Sequence, residues 1–284
     1  MPVASMQEIL KPALARRYGV AAFNIVNDLT MEATLAAAAE LNAPLIVQVS
    51  VKTVSVWGAK LMQLMFAEMA NQVSIPATLH LDHCPDTRVI EEGLEAGWNS
   101  VLFDGSSLGF EDCLERTREV VTLAHKCGAA VEGEIEPVKG VEDGIGTDAE
   151  VPIVSLDKAL LFIRETGIDT FAPAIGTAHG VYKAEPKINF ARVAEIVAAA
   201  PIPMVLHGGT GLSDEVFGKL ISLGAVKVNI STELKITFAD SLRNYLEKYP
   251  QQYDPLKLLR AAREEIKAMA IRFITIFGSA GKAS

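Results

Sequence analysis

Three of the five histidines, His83, His179 and His207, stand just past short β-branched or apolar runs. Neutral imidazoles from three separate segments can hold a zinc ion and leave a fourth position open to substrate. One such histidine alone would more often be an unrelated polar residue; the shared placement of three points to a metal. Asn24, Ser50, Asp82, Asp104, Glu134 and Asn229 occupy the same kind of position. Ionisable groups seldom collect at the ends of apolar runs without partners or a metal to satisfy them. His80 lies inside its run and His125 in a helical stretch, so both read as structural, and Cys84 reads as a buried thiol.

Two segments have the chemistry of an anion site. His207-Gly208-Gly209-Thr210-Gly211 is a glycine-rich turn with Ser213 placed to cap the helix after it, and Asn229-Ile230-Ser231-Thr232 leads into another helix. Free N–H groups at helix starts and in such turns point at phosphate. Residues 136–150 carry five acidic residues and three glycines. That is either a solvated loop or a lid with a catalytic acid or base.

These residues need a scaffold that brings run ends together. Candidate strands cover residues 20–24, 45–49, 77–82, 100–104, 129–134, 170–174, 204–207 and 226–230. Amphipathic helical stretches such as 30–41, 111–127, 156–166 and 190–200 lie between them. Strands followed by helices imply parallel βα units, and eight of them in this length predict an α/β fold, a (β/α)8 TIM barrel over residues 1–284 as one domain. No G-x-G-x-x-G opens a helix after the first run, which counts against an open dinucleotide-binding sheet. Ser5 and Glu8 form a capping box for an N-terminal helix that would cover the barrel floor. Asp254-Pro255 starts an extra C-terminal helix with Leu259, Ile266, Met269 and Phe273 on one apolar face, suited to the barrel or another subunit.

The net charge of −9 argues against nucleic acid as a partner, since a polyanion needs a basic face. A small phosphorylated substrate is not excluded. The longest apolar stretch, 196–206, is broken by Pro201 and Pro203 and is too short to span a membrane. Cys84, Cys113 and Cys127 form no zinc-ribbon spacing and no even set, so reduced thiols are expected. With no secretory signal at the start, the expected compartment is the cytoplasm.

Leu79-His80-Leu81-Asp82-His83, the stretch from Gly176-Thr177-Ala178-His179 to Gly180-Val181-Tyr182-Lys183, Leu206-His207-Gly208-Gly209-Thr210-Gly211 and Lys227-Val228-Asn229-Ile230-Ser231-Thr232-Glu233 together resemble the class II fructose- and tagatose-bisphosphate aldolases. Ala22-Phe23-Asn24 and Phe277-Gly278-Ser279 extend the likeness over nearly the whole chain. The resemblance implies zinc on His83, His179 and His207, with Asp104 and Glu134 as carboxylates close to the metal or at an alternate metal position. Asp82 would move the proton of the C4 hydroxyl, and Glu142 the C1 proton of dihydroxyacetone phosphate. Gly180, Gly208, Gly209, Thr210, Asn229, Ile230, Ser231 and Thr232 would bind that phosphate, with Na+ or K+ nearby. Asn24, Ser50 and Lys183 would be further substrate contacts, and Arg263 would reach the distal phosphate from a neighbouring subunit of a homodimer or homotetramer. Zinc on the ketone and hydroxyl oxygens would stabilise the enediolate left by C3–C4 cleavage.

The chain departs from that pattern twice. Glu136-Pro137 follows Glu134-Ile135 where the family continues with glycine, and Val51-Lys52-Thr53 follows Ser50 in place of an acidic-glycine pair. Both departures lie where the aldehyde half should bind. The expectation is cleavage of fructose or tagatose 1,6-bisphosphate. Beside it stand a dihydroxyacetone-phosphate aldolase with another aldehyde, a zinc hydrolase and a non-catalytic partner subunit. The hydrolase lacks its His-x-His pair after Phe23-Asn24, and the partner subunit is disfavoured because no metal histidine is missing. A Schiff-base aldolase would need Lys183 or Lys227 inside the barrel, and neither is expected to point there.

Overall fold

The computed structural model describes residues 3–142, 145–147, 149, 151–182 and 185–283. The strands are β1 (Val20–Asn24), β2 (Leu45–Ser50), β3 (Ala77–Cys84), β4 (Ser100–Asp104), β5 (Ala130–Glu134), β6 (Gly140–Glu142), β7 (Ile145–Thr147), β8 (Thr170–Ala172), β9 (Met204–Leu206) and β10 (Ala225–Ile230). All except β6 and β7 close into one parallel barrel in chain order, with β10 returning to pair with β1. The eight expected runs are these eight strands, with ends moved by no more than two residues.

The helices are α1 (Met6–Arg16), α2 (Asp28–Glu40), α3 (Val51–Trp57), α4 (Ala59–Ala70), α5 (Thr87–Glu95), α6 (Phe110–Lys126), α7 (Leu156–Thr166), α8 (Phe190–Ala199), α9 (Asp214–Leu223), α10 (Thr232–Lys248) and α11 (Pro255–Ile276). Short polar side chains start many of them: Ser5 and Glu8 make the expected capping box, Ser213 caps α9, and Asp254 caps α11 with a proline in its first turn. No helix among the described residues is long and apolar enough to cross a membrane.

Side chains alternate along each strand, and the two faces have opposite chemistry. Ala21, Phe23, Val47, Leu79, Leu81, Val101, Phe103, Val131, Phe171, Leu206 and Val228 belong to the large core between barrel and helices. A smaller cluster joins Val20, Ala22, Ile46, Ala130 and Val226 to Met6, Ile9, Leu10 and Ala13 of α1, so α1 closes the floor of the barrel. Above that apolar floor the inward positions turn polar. Asn24, Gln48, Ser50, His80, Asp82, Ser100, Asp104, Glu132, Glu134, Lys227 and Asn229 are all buried.

Two expectations are corrected. Leu259 does not share the buried face of α11: it is 37% exposed, and burial on that helix begins at Ala262 and continues through Ile266, Met269 and Phe273. That face lies against α2 and α10 of the same chain. The 136–150 segment is not wholly a loop, since β6 and β7 pair there as an antiparallel hairpin.

Candidate active site and metal centre

The site begins with an irregularity in β3. Leu81 pairs with Val101 and Cys84 with Phe103, so Asp82 and His83 together face the single residue Leu102. Two residues against one make a β-bulge, which re-aims side chains that strict alternation would send to opposite faces. His83 takes φ 45°, a left-handed conformation that costs a non-glycine residue about 1–2 kcal/mol. Its ring then reaches the barrel mouth, with centroids 4.7 Å from His207 and 5.1 Å from His179.

His207 directly follows β9, whereas His179 stands well past β8 on a segment that other loops must hold. Its backbone N–H donates to Lys139 O at 2.6 Å. Gly208 and Gly140 press on the same segment in positive-φ conformations. A Cβ on Gly208 would lie 2.4 Å from Ala178 O, and one on Gly140 2.5 Å from His179 O, so only glycine fits at either. Tyr182 closes the arrangement: its hydroxyl accepts from Ala178 N at 2.9 Å and donates to Gly208 O at 2.7 Å.

One ligand atom from each of His83, His179 and His207 lies within 4.8 Å of the others, and His83, Asp104 and Glu134 form a second such group. His83 Nε2 is buried with no hydrogen-bond partner among the described residues, and His207 Nδ1 lies 3.2 Å from Glu134 Oε2 without hydrogen-bond geometry. The opposite ring nitrogens are occupied. His83 Nδ1 is 2.9 Å from Asp104 Oδ2 and His207 Nε2 is 2.8 Å from Glu132 Oε1. Carboxylates on the far nitrogens fix the ring orientations and raise the basicity of the near ones, as metal sites require. These residues fit a divalent cation.

The charges lead to the same conclusion. Burial resists protonation of His207, yet its hydrogen bond to Glu132 and the Glu134 carboxylate beside its other nitrogen outweigh that and lift it to about 9. Burial likewise opposes charge on His83, but Asp82 and Asp104 raise it well above the usual histidine value. His179 moves the other way, held neutral by burial and by the other two rings. Four buried carboxylates, Asp82, Asp104, Glu132 and Glu134, thus surround a place where positive charge is wanted.

Asp82 stands beside this cluster. Asn24 donates to its Oδ2 at 2.7 Å, and Gln48 in turn donates to Asn24 Oδ1 at 2.7 Å. Burial alone would raise Asp82's pKa, but the positive fields of His83, Lys227 and His207 bring it below the ordinary value. At the glycine turn, Thr210 Oγ1 accepts from Glu233 N at 3.3 Å, tying that turn to the first turn of α10. Gly209 is closely packed, since a Cβ there would stand 3.0 Å from Asn229 O, tighter than an ordinary contact. Ile230 ends β10, Thr232 starts α10, and Ser231 Oγ between them is buried with no hydrogen-bond partner among the described residues. Gly180, beside His179, has φ 82°.

Other expected residues are placed differently. Ser50 caps α3 by accepting from Thr53 N at 3.4 Å. Arg263 forks onto Glu32 of α2 at 2.5 and 2.6 Å. Glu142 ends β6, and Lys183 lies outside the described residues. Lys227 corrects the sequence reading, because it does point into the barrel. It is fully buried, with Nζ 2.9 Å from Glu132 Oε2 and 2.8 Å from Asn229 Oδ1. Glu132, Gln48 and Tyr182 were not singled out from sequence. The first two were within reach of it, since Glu132 precedes Glu134, and Gln48 precedes Ser50, by the two residues that put side chains on one strand face.

The model of the family "Fructose-bisphosphate aldolase class-II" matches residues 4–282. The chain belongs to the class II fructose-bisphosphate aldolase family. It is 38% identical over 283 residues to the D-tagatose-1,6-bisphosphate aldolase subunit GatY of Klebsiella oxytoca, covering 99% of this chain and 100% of that one. It is 37% identical over 289 residues to the fructose-bisphosphate aldolase of Geobacillus stearothermophilus and 36% over 284 residues to the sulfofructosephosphate aldolase of Alkalicoccus urumqiensis, each match covering at least 99% of both chains. The crystal structure of the YdjI aldolase of Escherichia coli K12 superposes with a TM-score of 0.87 at 32% identity, covering 99% of this chain and 100% of that one. This class II chain is therefore an aldolase, a carbon–carbon lyase on a TIM barrel, and the family's use of a divalent metal agrees with the histidine cluster.

Proposed function

We propose that this aldolase reversibly cleaves a ketose 1,6-bisphosphate, fructose or tagatose 1,6-bisphosphate, to dihydroxyacetone phosphate and glyceraldehyde 3-phosphate, with zinc on His83, His179 and His207. The observation that carries the reading is the convergence of those three rings beside Asp82, whose Oδ1 is buried with no hydrogen-bond partner among the described residues. When bound, the metal supplies Lewis-acid polarisation of the ketone half.

The chain's own residues do the rest. The ketone-side phosphate sits on the N–H groups of the 208–210 turn and of residues 229–232 at the start of α10. Asp82 Oδ1 takes the proton of the C4 hydroxyl; the O–H electron pair becomes the aldehyde C=O, and the C3–C4 pair passes into the ketone half. Asn24 keeps Oδ2 occupied, so the proton has one oxygen to go to. Glu142 returns a proton to the ketone half from the β6–β7 hairpin, whose closure would exclude water. Ser50 and Lys183 contact the substrate, Arg263 serves its distal end in a homo-oligomer, and Na+ or K+ completes the phosphate site.

A second reading keeps the chemistry and changes the aldehyde. It is favoured by Arg263, which here is spent on Glu32, and by a relative named for a sulfofructose phosphate. The test is a cleavage assay over ketose mono- and bisphosphates, fructose and tagatose forms included, with and without chelator. Zinc-restored activity greatest on a 1,6-bisphosphate supports the first reading. Activity untouched by thorough metal removal would refute both.

A further inference from the structure

Lys227 is a full positive charge in the interior of the barrel, 0% exposed, opposite an equally buried Glu132. Removing two such charges from water costs several kcal/mol per ion, and an apolar pair of similar volume commonly stabilises a fold more. The chain uses the apolar solution one inward position lower, where Ala130 and Val226 close on α1. A charge pair directly above that layer needs a purpose beyond filling space.

The geometry supplies one. Lysine has only protons to give, so the atom of Asn229 that it meets at 2.8 Å is the amide oxygen, and the Asn229 NH2 is turned the other way as a donor. Glu132 meets Lys227 with Oε2 and His207 Nε2 with Oε1, at 2.9 and 2.8 Å. In the neutral ring an acceptor at Nε2 puts the proton there and leaves the lone pair on Nδ1, the nitrogen that lies 3.2 Å from Glu134 Oε2.

We infer that Lys227 is a positioning residue that sets two orientations at once, the His207 tautomer through Glu132 and the Asn229 amide directly, and so joins the metal-binding and phosphate-binding halves of the site. The inference rests on the metal and phosphate sites proposed above.

The experiment is zinc affinity by chelator competition, with the melting temperature measured on the same samples. Lys227→Met keeps the length of the side chain and removes its charge. The double variant Lys227→Met/Glu132→Gln also removes the counter-charge, so that no unpaired ion is left inside. The expected result is zinc affinity roughly ten- to a hundredfold below the parent in both variants, with the double variant regaining melting temperature but not affinity. Affinity that recovers together with melting temperature would make Lys227 a structural counter-ion only and overturn the inference, as would parent affinity in either variant. His207→Ala separates this from the larger proposal: if it binds zinc like the parent, the metal set fails; if it does not and the Lys227 variants do, only the role of Lys227 falls.

Discussion

Asn24 Nδ2 donates to Asp82 Oδ2 at 2.7 Å across the first and third strands of the barrel. An amide N–H cannot accept, so this contact favours the ionised carboxylate and directs proton traffic to Oδ1. Asp82→Ala should therefore lower kcat for C3–C4 cleavage by about 10²–10⁴-fold with little change in zinc content. Asn24→Ala, which removes one hydrogen bond to a charged group, should lower it by about ten- to a hundredfold. Steady-state kinetics with metal analysis checks both, and an unchanged kcat in Asp82→Ala would end its assignment as the acid/base.

His207→Ala should lose zinc and activity together. The ring is buried at 1% exposure rather than set on an open rim, so the substitution also leaves a cavity and frees Glu132 Oε1. Lys227 still neutralises Glu132, and the fold should survive with a reduced melting temperature. Undiminished zinc in the purified variant would remove His207 from the ligand set.

Tyr182 joins two elements that are distant in sequence, the segment carrying His179 and the turn at Gly208. Tyr182→Phe keeps the ring and deletes both hydrogen bonds. The expected effect is a KM for the phosphorylated ketose raised about tenfold, the worth of one or two ordinary hydrogen bonds, with kcat within a fewfold of the parent. Equal KM values would mean that the glycine turn holds its shape without the tyrosine.

The barrel was legible because the strand pattern is regular: the inward positions of β1, β2, β3, β4, β5 and β10 end in polar residues over an apolar outward face, while β8 ends in Ala172. His207 stood out because it follows an apolar run directly, and His179 because it lies in a polar loop after one. What was not legible depends on three-dimensional detail. The bulge that lets neighbouring Asp82 and His83 serve one site has no composition signal. The inward course of Lys227 was missed because a lysine early in a strand is usually exposed, and its pairing with Glu132 and hydrogen bond to Asn229 are what make the burial tolerable. Leu259 belongs to the apolar period of α11, but the start of that helix is exposed, Leu256 at 71% and Leu259 at 37%.

His80 gives the metal-free protein a pH signature. Burial and the Lys227 charge push it down to about 3 against the opposing pull of Glu132 and Asp82, and Ser100 Oγ lies 2.7 Å from its Nδ1. The folded-state pKa is below the unfolded one, so the unfolded chain binds a proton that the folded chain refuses. The contribution of His80 to stability is present above the unfolded value near 6.5 and is lost as pH falls from there toward 3, at up to about 1.4 kcal/mol per pH unit. Urea unfolding at pH 7, 6 and 5 should show a steeper loss in the parent than in His80→Asn. Parallel profiles would mean that His80 charges freely in the fold.

Arg263 bears on the identity of the aldehyde. In the single chain its guanidinium forks onto Glu32 and also meets Glu264, with its side chain 31% exposed and that of Glu32 41%. Ion pairs this open to water contribute about 0–1 kcal/mol, so Arg263→Ala should barely move the melting temperature. A strong effect on catalysis would then have to come from substrate. Glu32 occupies Nε and Nη2 and Glu264 occupies Nη1, so the planar fork can engage a phosphate through two hydrogen bonds only by leaving Glu32. If Arg263 serves the distal phosphate of a neighbouring subunit's substrate, Arg263→Ala should cost about ten- to a hundredfold in kcat/KM on the ketose 1,6-bisphosphate, the worth of one charged hydrogen-bonding partner, and nothing on the matching 1-phosphate. Kinetics on the two substrates decides it. A loss confined to the bisphosphate places a second anion site at α11; equal losses, or none, leave Arg263 as a partner of Glu32 and favour an aldehyde without a terminal phosphate.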